Sequence, residues 1–276
     1  MLDVAASFRL SAAERDGLAR DGFVLREGLF DPGECAQIAR ECEDLLTALE
    51  AAKRGDKRVV GSYMFELARD SASDEGTIVK WEPDAPDVVQ GLEPFAHISP
   101  PLKAWGLDPR LVDPCKDLVG EDEIVLFTEK LNLKRARHGG PIILHQDFPY
   151  WEQVTPVAAR IATAMVFLDG ATPENGCLEV APGSHREGVQ RQKARDDFGA
   201  MEMDAEAFDK TRLIPLEVAA GSVAFFGPLL VHRSLPNRSG DDRRALLYSY
   251  QPAGNPHSRE MTRPAQIRAV FGEAKV

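Results

Sequence analysis

The chain has 276 residues, of which 43% are hydrophobic and 28% charged, an ordinary balance for a globular protein that buries a substantial core. A net charge of -11 and a pI near 5.1 give a surface that repels phosphate backbones, so nucleic acid is excluded as an expected partner. No apolar run reaches the length of about eighteen residues that a membrane span needs, so no membrane association is expected.

In chain order, Ser11-Ala12-Ala13-Glu14 is a capping box that opens a short helix ending near Asp21-Gly22. Phe23-Val24-Leu25 is a short extended run. Asp31-Pro32-Gly33-Glu34 starts a second helix, and Cys35, Ile38, Cys42, Leu45, Leu46 and Leu49 give it one apolar face. Residues 53–58 read as a basic loop, 59–67 as a strand, and 70–87 as an acidic, Pro-interrupted loop. From about Ile124 the period changes to short β-type runs at 124–127, 142–144, 161–168, 177–180, 223–226 and 245–250, punctuated by Gly, Pro and Asn. Helices followed by many short strands predict an α+β chain whose catalytic part is a β-barrel or jelly roll. Between Arg186 and Arg212 the sequence becomes highly charged and loses its alternation, as a surface insertion or a lid over a site would.

One domain over 1–276 is expected, with a helical part over about 1–120, a jelly-roll core over about 121–252 and a tail over 253–276. Cys35, Cys42, Cys115 and Cys177 show no C-x-x-C spacing and read as reduced, buried thiols. The start, Met1-Leu2-Asp3-Val4, has neither the basic residues nor the apolar stretch of a secretory signal, and the end, Glu273-Ala274-Lys275-Val276, is no peroxisomal address. A cytoplasmic location is expected; oligomeric state is unreadable.

The chemistry concentrates in His145-Gln146-Asp147, His232 and Arg243. Two imidazoles and one carboxylate on one face of a ferrous ion leave positions open for other ligands, the pattern of non-haem iron oxygenases. Residues i and i+2 of a strand point to the same side, so His145 and Asp147 are expected to chelate from a strand end, with His232 completing the set. Arg243, eleven residues past His232, offers a rigid guanidinium fork for the far carboxylate of a 2-oxo acid. With six His in the chain, H-x-D alone is weak evidence; its weight comes from the ordered set.

That order resembles the phytanoyl-CoA dioxygenase family, which includes ectoine hydroxylase. Leu144-His145-Gln146-Asp147-Phe148 is similar to the family's proximal ligand motif, and Asn175-Gly176-Cys177-Leu178 with Pro182-Gly183-Ser184-His185 to its central block. Gly221 to Phe226, His232-Arg233-Ser234 and Pro236-Asn237-Arg238-Ser239 resemble its distal block. The resemblance implies a double-stranded β-helix with N-terminal helices packed on it and Fe(II) held by His145, Asp147 and His232. It implies 2-oxoglutarate as cosubstrate, O2 as oxidant, and Arg243 and Ser234 on the C5 carboxylate, with Asn132 and Lys130 facing the cosubstrate. Phe148, Tyr150 and Trp151 follow the motif and are expected near the substrate; Arg160, Arg186 and Tyr248 are further candidates for the pocket. Family members that halogenate lack the carboxylate ligand, so Asp147 favours hydroxylation.

The expected activity is hydroxylation of an amino-acid-like or natural-product small molecule, with release of succinate and CO2. An acyl-CoA substrate is the alternative within the family. A zinc hydrolase built on the same three ligands leaves Arg243 without a task. A catalytically silent metal- or ligand-binding barrel fits poorly with four intact functional residues.

Overall fold

Ser11 opens the first helix, α1 (Ala12–Asp21), by the expected box: its Oγ accepts from Glu14 N, and Glu14 Oε2 accepts from Ser11 N. Gly22, at φ 87°, closes it in the left-handed conformation that glycine adopts without steric cost. β1 (Phe23–Arg26) follows, then α2 (Pro32–Glu50), where Asp31 and Glu34 repeat the reciprocal cap. α2 buries Cys35, Ile38, Cys42, Leu45 and Leu49, the stripe expected from the spacing. These facts come from a computed structural model that describes residues 7–50, 52–60, 63–69, 76–194 and 201–258. Most of the expected tail, 259–276, lies outside the described residues, as do 70–75.

The region expected to be helical also contributes strands: β2 (Lys53–Arg54), β3 (Arg58–Val60), β4 (Tyr63–Arg69), β5 (Gly76–Glu82) and β6 (Ala85–Glu93). Over 76–87 this replaces the expected acidic loop. Glu82 pairs with Ala85, so Pro83-Asp84 is the two-residue turn of a hairpin. Pro and Asp, read as loop punctuation, serve here as turn residues between two paired strands. Two helices, α3 (Pro100–Trp105) and α4 (Pro109–Val119), then lead into the long strand β7 (Ile124–Lys134).

Beyond β7 come β8 (Ile142–His145), the short helix α5 (Phe148–Trp151), β9 (Ala162–Phe167), β10 (Leu178–Val180), β11 (Gln192–Ala194) and β12 (Met201–Met203). The last strands are β13 (Ile214–Leu216), β14 (Val223–Phe226), β15 (His232–Ser234) and β16 (Arg243–Pro252). A large antiparallel sheet runs β1-β14-β9-β16-β7-β6-β5-β4-β2, with β3 on β4, and a smaller one runs β13-β10-β15-β8. Met165 and Phe167 of β9 pack with Leu178 and Val180 of β10, so the two sheets face each other. The alternate residues Ala162, Ala164 and Val166 pack outward into the cluster that holds Ile38, Leu45 and Leu111 of the helices. A strand buried on both faces reads as a continuous apolar run, as β9 does, and each large apolar side chain so buried contributes about 1.5–3 kcal/mol. The chain is thus an α+β protein with a double-stranded β-helix core and helices packed on its larger sheet. All four cysteines are free and buried. Among the described residues no helix is long and apolar enough to cross a membrane.

Candidate metal centre

His145 ends β8 and His232 begins β15, and the antiparallel register sets them directly opposite each other, with ring centroids 4.1 Å apart. His145 Nδ1 lies 2.8 Å from Ile143 O, and His232 Nδ1 lies 2.9 Å from Leu230 O. A carbonyl only accepts, so each Nδ1 carries the proton and each Nε2 keeps a free lone pair. Burial, then the neighbouring His232, holds the basicity of His145 well below the ordinary imidazole range, so at neutral pH it is an uncharged ligand. Asp147 Oδ1 lies 3.7 Å from His145 Nε2, and one ligand atom from each of His145, Asp147 and His232 lies within 4.8 Å of the other two.

The strand geometry expected for the H-x-D triplet is replaced by a turn. β8 stops at His145, and Asp147 sits at φ -73°, ψ -27° as the residue preceding α5. Among the described residues its carboxylate makes no capping bond to that helix. Two residues outside the expected set hold this arrangement. Gln146, 1% exposed, donates from Nε2 to Leu229 O and Gly188 O while its Oε1 accepts from Gln190 N, tying β8 to the segment before His232. Ser184 Oγ, fully buried, accepts from Val231 N beside His232. Their sequence signals were in view, inside the proximal motif and the Pro-Gly-Ser-His turn, but only the tertiary structure reveals which amides they meet.

Arg243, the first residue of β16, pairs in register with Lys134 and is 1% exposed. Its Nη2 donates to Gly176 O at 2.7 Å, while among the described residues Nε and Nη1 have no partner. The Oγ of Ser234 is also buried, and among the described residues it has no partner. Gly176 is required here: at φ 76° it adopts a left-handed conformation, and a Cβ would run into the Leu235 carbonyl. Burial lowers the Arg243 basicity to about 10, which still leaves it charged at neutral pH. Two unpaired guanidinium donors and a hydroxyl in a buried cavity match a carboxylate that brings its own charge. Asn132 and Lys130 lie on the same face of β7, opposite Ala245 and Leu247. Lys130 Nζ is 3.2 Å from Glu93 Oε2.

These side chains line one cavity of about 290 Å³ between the sheets, together with Tyr63, Lys80, Glu93, Tyr150 and Trp151. The aromatic loop divides. Tyr150 and Trp151 border the cavity, and Trp151 also packs edge-on against Phe127 at 5.5 Å. Phe148, expected near the substrate, instead packs in the cluster of Phe127, Trp151, Ala158 and Ile161, away from the lining. Arg160, Arg186 and Tyr248 are absent from the lining as well; Arg160 binds Val119 O and Glu121, and the Tyr248 hydroxyl donates to Leu102 O. In the charged segment 186–212, Met203 and Phe208 pack behind β8 against Leu144 and Val231. None of its described residues lines the cavity.

A double-stranded β-helix presenting two imidazoles and one carboxylate at a shared cavity has the architecture of a mononuclear non-haem iron oxygenase. A model of the phytanoyl-CoA dioxygenase (PhyH) family matches residues 18–245. Among curated relatives, phytanoyl-CoA dioxygenase domain-containing protein 1 of Danio rerio is 24% identical over 85% of this chain and 88% of its own length. L-proline trans-4-hydroxylase of Streptomyces griseoviridis is 31% identical over 53% of this chain and 61% of its own length. The crystal structure of EctD from S. alaskensis with 2-oxoglutarate and 5-hydroxyectoine shares the fold, with a TM-score of 0.68 and 24% identity over 92% of this chain and 80% of that one. The chain belongs to the phytanoyl-CoA dioxygenase family and is an enzyme of the 2-oxoglutarate-dependent non-haem iron class.

Proposed function

We propose that this enzyme hydroxylates a small molecule, amino-acid-like or a natural product, with 2-oxoglutarate as cosubstrate and succinate and CO2 as co-products. One observation carries the reading: three convergent ligand atoms share a cavity with a buried guanidinium that has two unused donors. The names of one relative, an L-proline trans-4-hydroxylase, and of a fold neighbour crystallised with 5-hydroxyectoine support a substrate of that size. A cavity of about 290 Å³ suits such a molecule better than a long acyl-CoA.

In this reading His145, Asp147 and His232 hold Fe(II), which when bound supplies the oxygen activation that couples 2-oxoglutarate decarboxylation to C–H hydroxylation. Arg243 and Ser234 take the C5 carboxylate of the cosubstrate, while Asn132 and Lys130 border it on β7. Gln146 and Ser184 keep the two imidazoles in place, so little reorganisation is needed when metal enters. Trp151, buried at the cavity, forms an apolar wall that limits water at the reacting centre. The cellular setting proposed is the cytoplasm.

The test is succinate formation from 2-oxoglutarate with a panel of amino acids and related metabolites, with and without added Fe(II). Succinate that depends on Fe(II) and rises with one substrate class is expected. Metal-dependent hydrolysis of an ester or amide without 2-oxoglutarate consumption would reject the oxygenase reading in favour of a zinc-type hydrolase.

A further inference from the structure

Besides Arg233, which is paired with Glu179, the cavity lining holds a second cation that the proposed machinery does not use, Lys80. Lys80 of β5 lies opposite Gly91 of β6, and Gly91 lies opposite Asn132 of β7. Lys80 therefore shares the cavity-facing side of the sheet with Asn132, two strands away from the residues assigned to the cosubstrate, with β6 between them. Gly91 keeps that row low, since a Cβ there would stand 2.8 Å from Leu131 O and 3.2 Å from Asn132 Oδ1. Lys80 and Lys130 both line the cavity, and both act on His145 from close enough to lower its basicity.

The two lysines differ in their partners. Lys130 is matched by Glu93 at 3.2 Å. Among the described residues no carboxylate lies within 4.0 Å of Lys80 Nζ, which rests 3.4 Å from the centre of the Tyr63 ring. In the proposed centre, Fe(II) and Arg243 would be offset by Asp147 and dianionic 2-oxoglutarate. Lys130 and Glu93 offset each other, so Lys80 is left as an excess cation. Its neighbours in the lining, Tyr63, Phe65 and Ile78, are poor substitutes for water. Burial, followed by the proximity of Lys130, pushes its basicity down to about 7. A partly desolvated ammonium facing an open cavity is unfavourable until an anion joins it.

We propose that Lys80, flanked by the Lys130–Glu93 pair and the Tyr63 ring, receives a carboxylate of the primary substrate and so selects small carboxylic acids. The Tyr63 face and the apolar neighbours take the adjoining carbon skeleton, which orients a C–H bond toward the metal ligands. This rests on the oxygenase reading above, and it concerns residues outside the metal and cosubstrate sets.

The test is calorimetric binding to protein loaded anaerobically with Fe(II) and 2-oxoglutarate, so that no turnover occurs. L-proline and other small amino and carboxylic acids are each titrated beside their primary amides. At least one acid is expected to bind about tenfold or more tightly than its amide, the contribution of a charge-assisted contact. The preference should vanish in Lys80→Gln and return in Lys80→Arg, with 2-oxoglutarate affinity unchanged in both. Equal binding of acids and amides, no acid binding at all, or a preference that survives Lys80→Gln would overturn the assignment. So would loss of 2-oxoglutarate binding in Lys80→Gln, which would move Lys80 to the cosubstrate. If wild-type protein takes up no 2-oxoglutarate, the oxygenase reading itself fails, and the cosubstrate titration that precedes each acid titration registers that separately.

Discussion

Replacing Arg243 with alanine removes a buried guanidinium that lines the cavity with two donors unpartnered among the described residues. Nε and Nη1 are unpartnered and the side chain is 1% exposed, so solvent screening does little to weaken what they bind. Hydrogen bonds to charged groups contribute roughly 1.5–3 kcal/mol each, and two of them set an upper range of about 3–6 kcal/mol. Water entering the vacated space recovers part of this, which leaves about 3–4 kcal/mol, or roughly 100- to 1,000-fold in 2-oxoglutarate affinity. The assay is anaerobic calorimetry of 2-oxoglutarate binding to Fe(II)-loaded protein, with Fe(II) affinity measured separately and expected to be unchanged. The variant also orphans Gly176 O, so thermal unfolding must accompany the titration to show that a folded protein was measured. Arg243→Lys keeps the charge and loses the fork, and its deficit should fall between wild type and alanine. A folded Arg243→Ala protein whose affinity drops less than about tenfold would remove Arg243 from the cosubstrate site.

Asp147→Ala should lose Fe(II) binding and substrate-dependent succinate formation together; retained binding in equilibrium dialysis would exclude Asp147 as a ligand. Ser184→Ala leaves the buried Val231 amide unsatisfied and should cost about 1–3 kcal/mol of stability by denaturant unfolding, with weakened Fe(II) binding through His232. No change in either quantity would deny Ser184 its positioning role. Binding of the carboxylic acid probes should weaken as pH rises through about 7, because Lys80, whose basicity burial and then Lys130 depress to about 7, loses its charge over that range. Glu93, Glu82 and Lys130 also act on Lys80, so the profile must be compared with that of Lys80→Gln, which should be flat over the same range.

The proposed metal ligands were legible in the sequence because their motifs are local. His145 and Asp147 are two residues apart, and His232 and Arg243 stand in blocks with recognisable turns. The helix caps at Ser11 and Asp31 were equally legible, since capping chemistry acts within three residues. Pairing across strands, by contrast, leaves no local mark in the sequence. Pro83-Asp84 resembles loop until Glu82 is seen opposite Ala85, and with that hairpin missed, Lys80 had no visible relation to the cavity. Side-chain direction was the other hidden quantity. Phe148 and Trp151 are three residues apart on one short helix, yet Trp151 borders the cavity and Phe148 fills the packing behind it. The turn at Asp147 likewise replaced a strand continuation that alternation alone suggested.

The most direct measurement is an anaerobic visible-absorption titration of the Fe(II)-loaded protein with 2-oxoglutarate, following the charge-transfer band that an iron-bound 2-oxo acid produces. A band that saturates at one cosubstrate per chain in wild type and is absent in His145→Ala, Asp147→Ala and His232→Ala is the expected result. A wild-type protein that binds Fe(II) yet develops no band, or a band that persists in all three variants, would contradict an iron and 2-oxoglutarate centre at these residues.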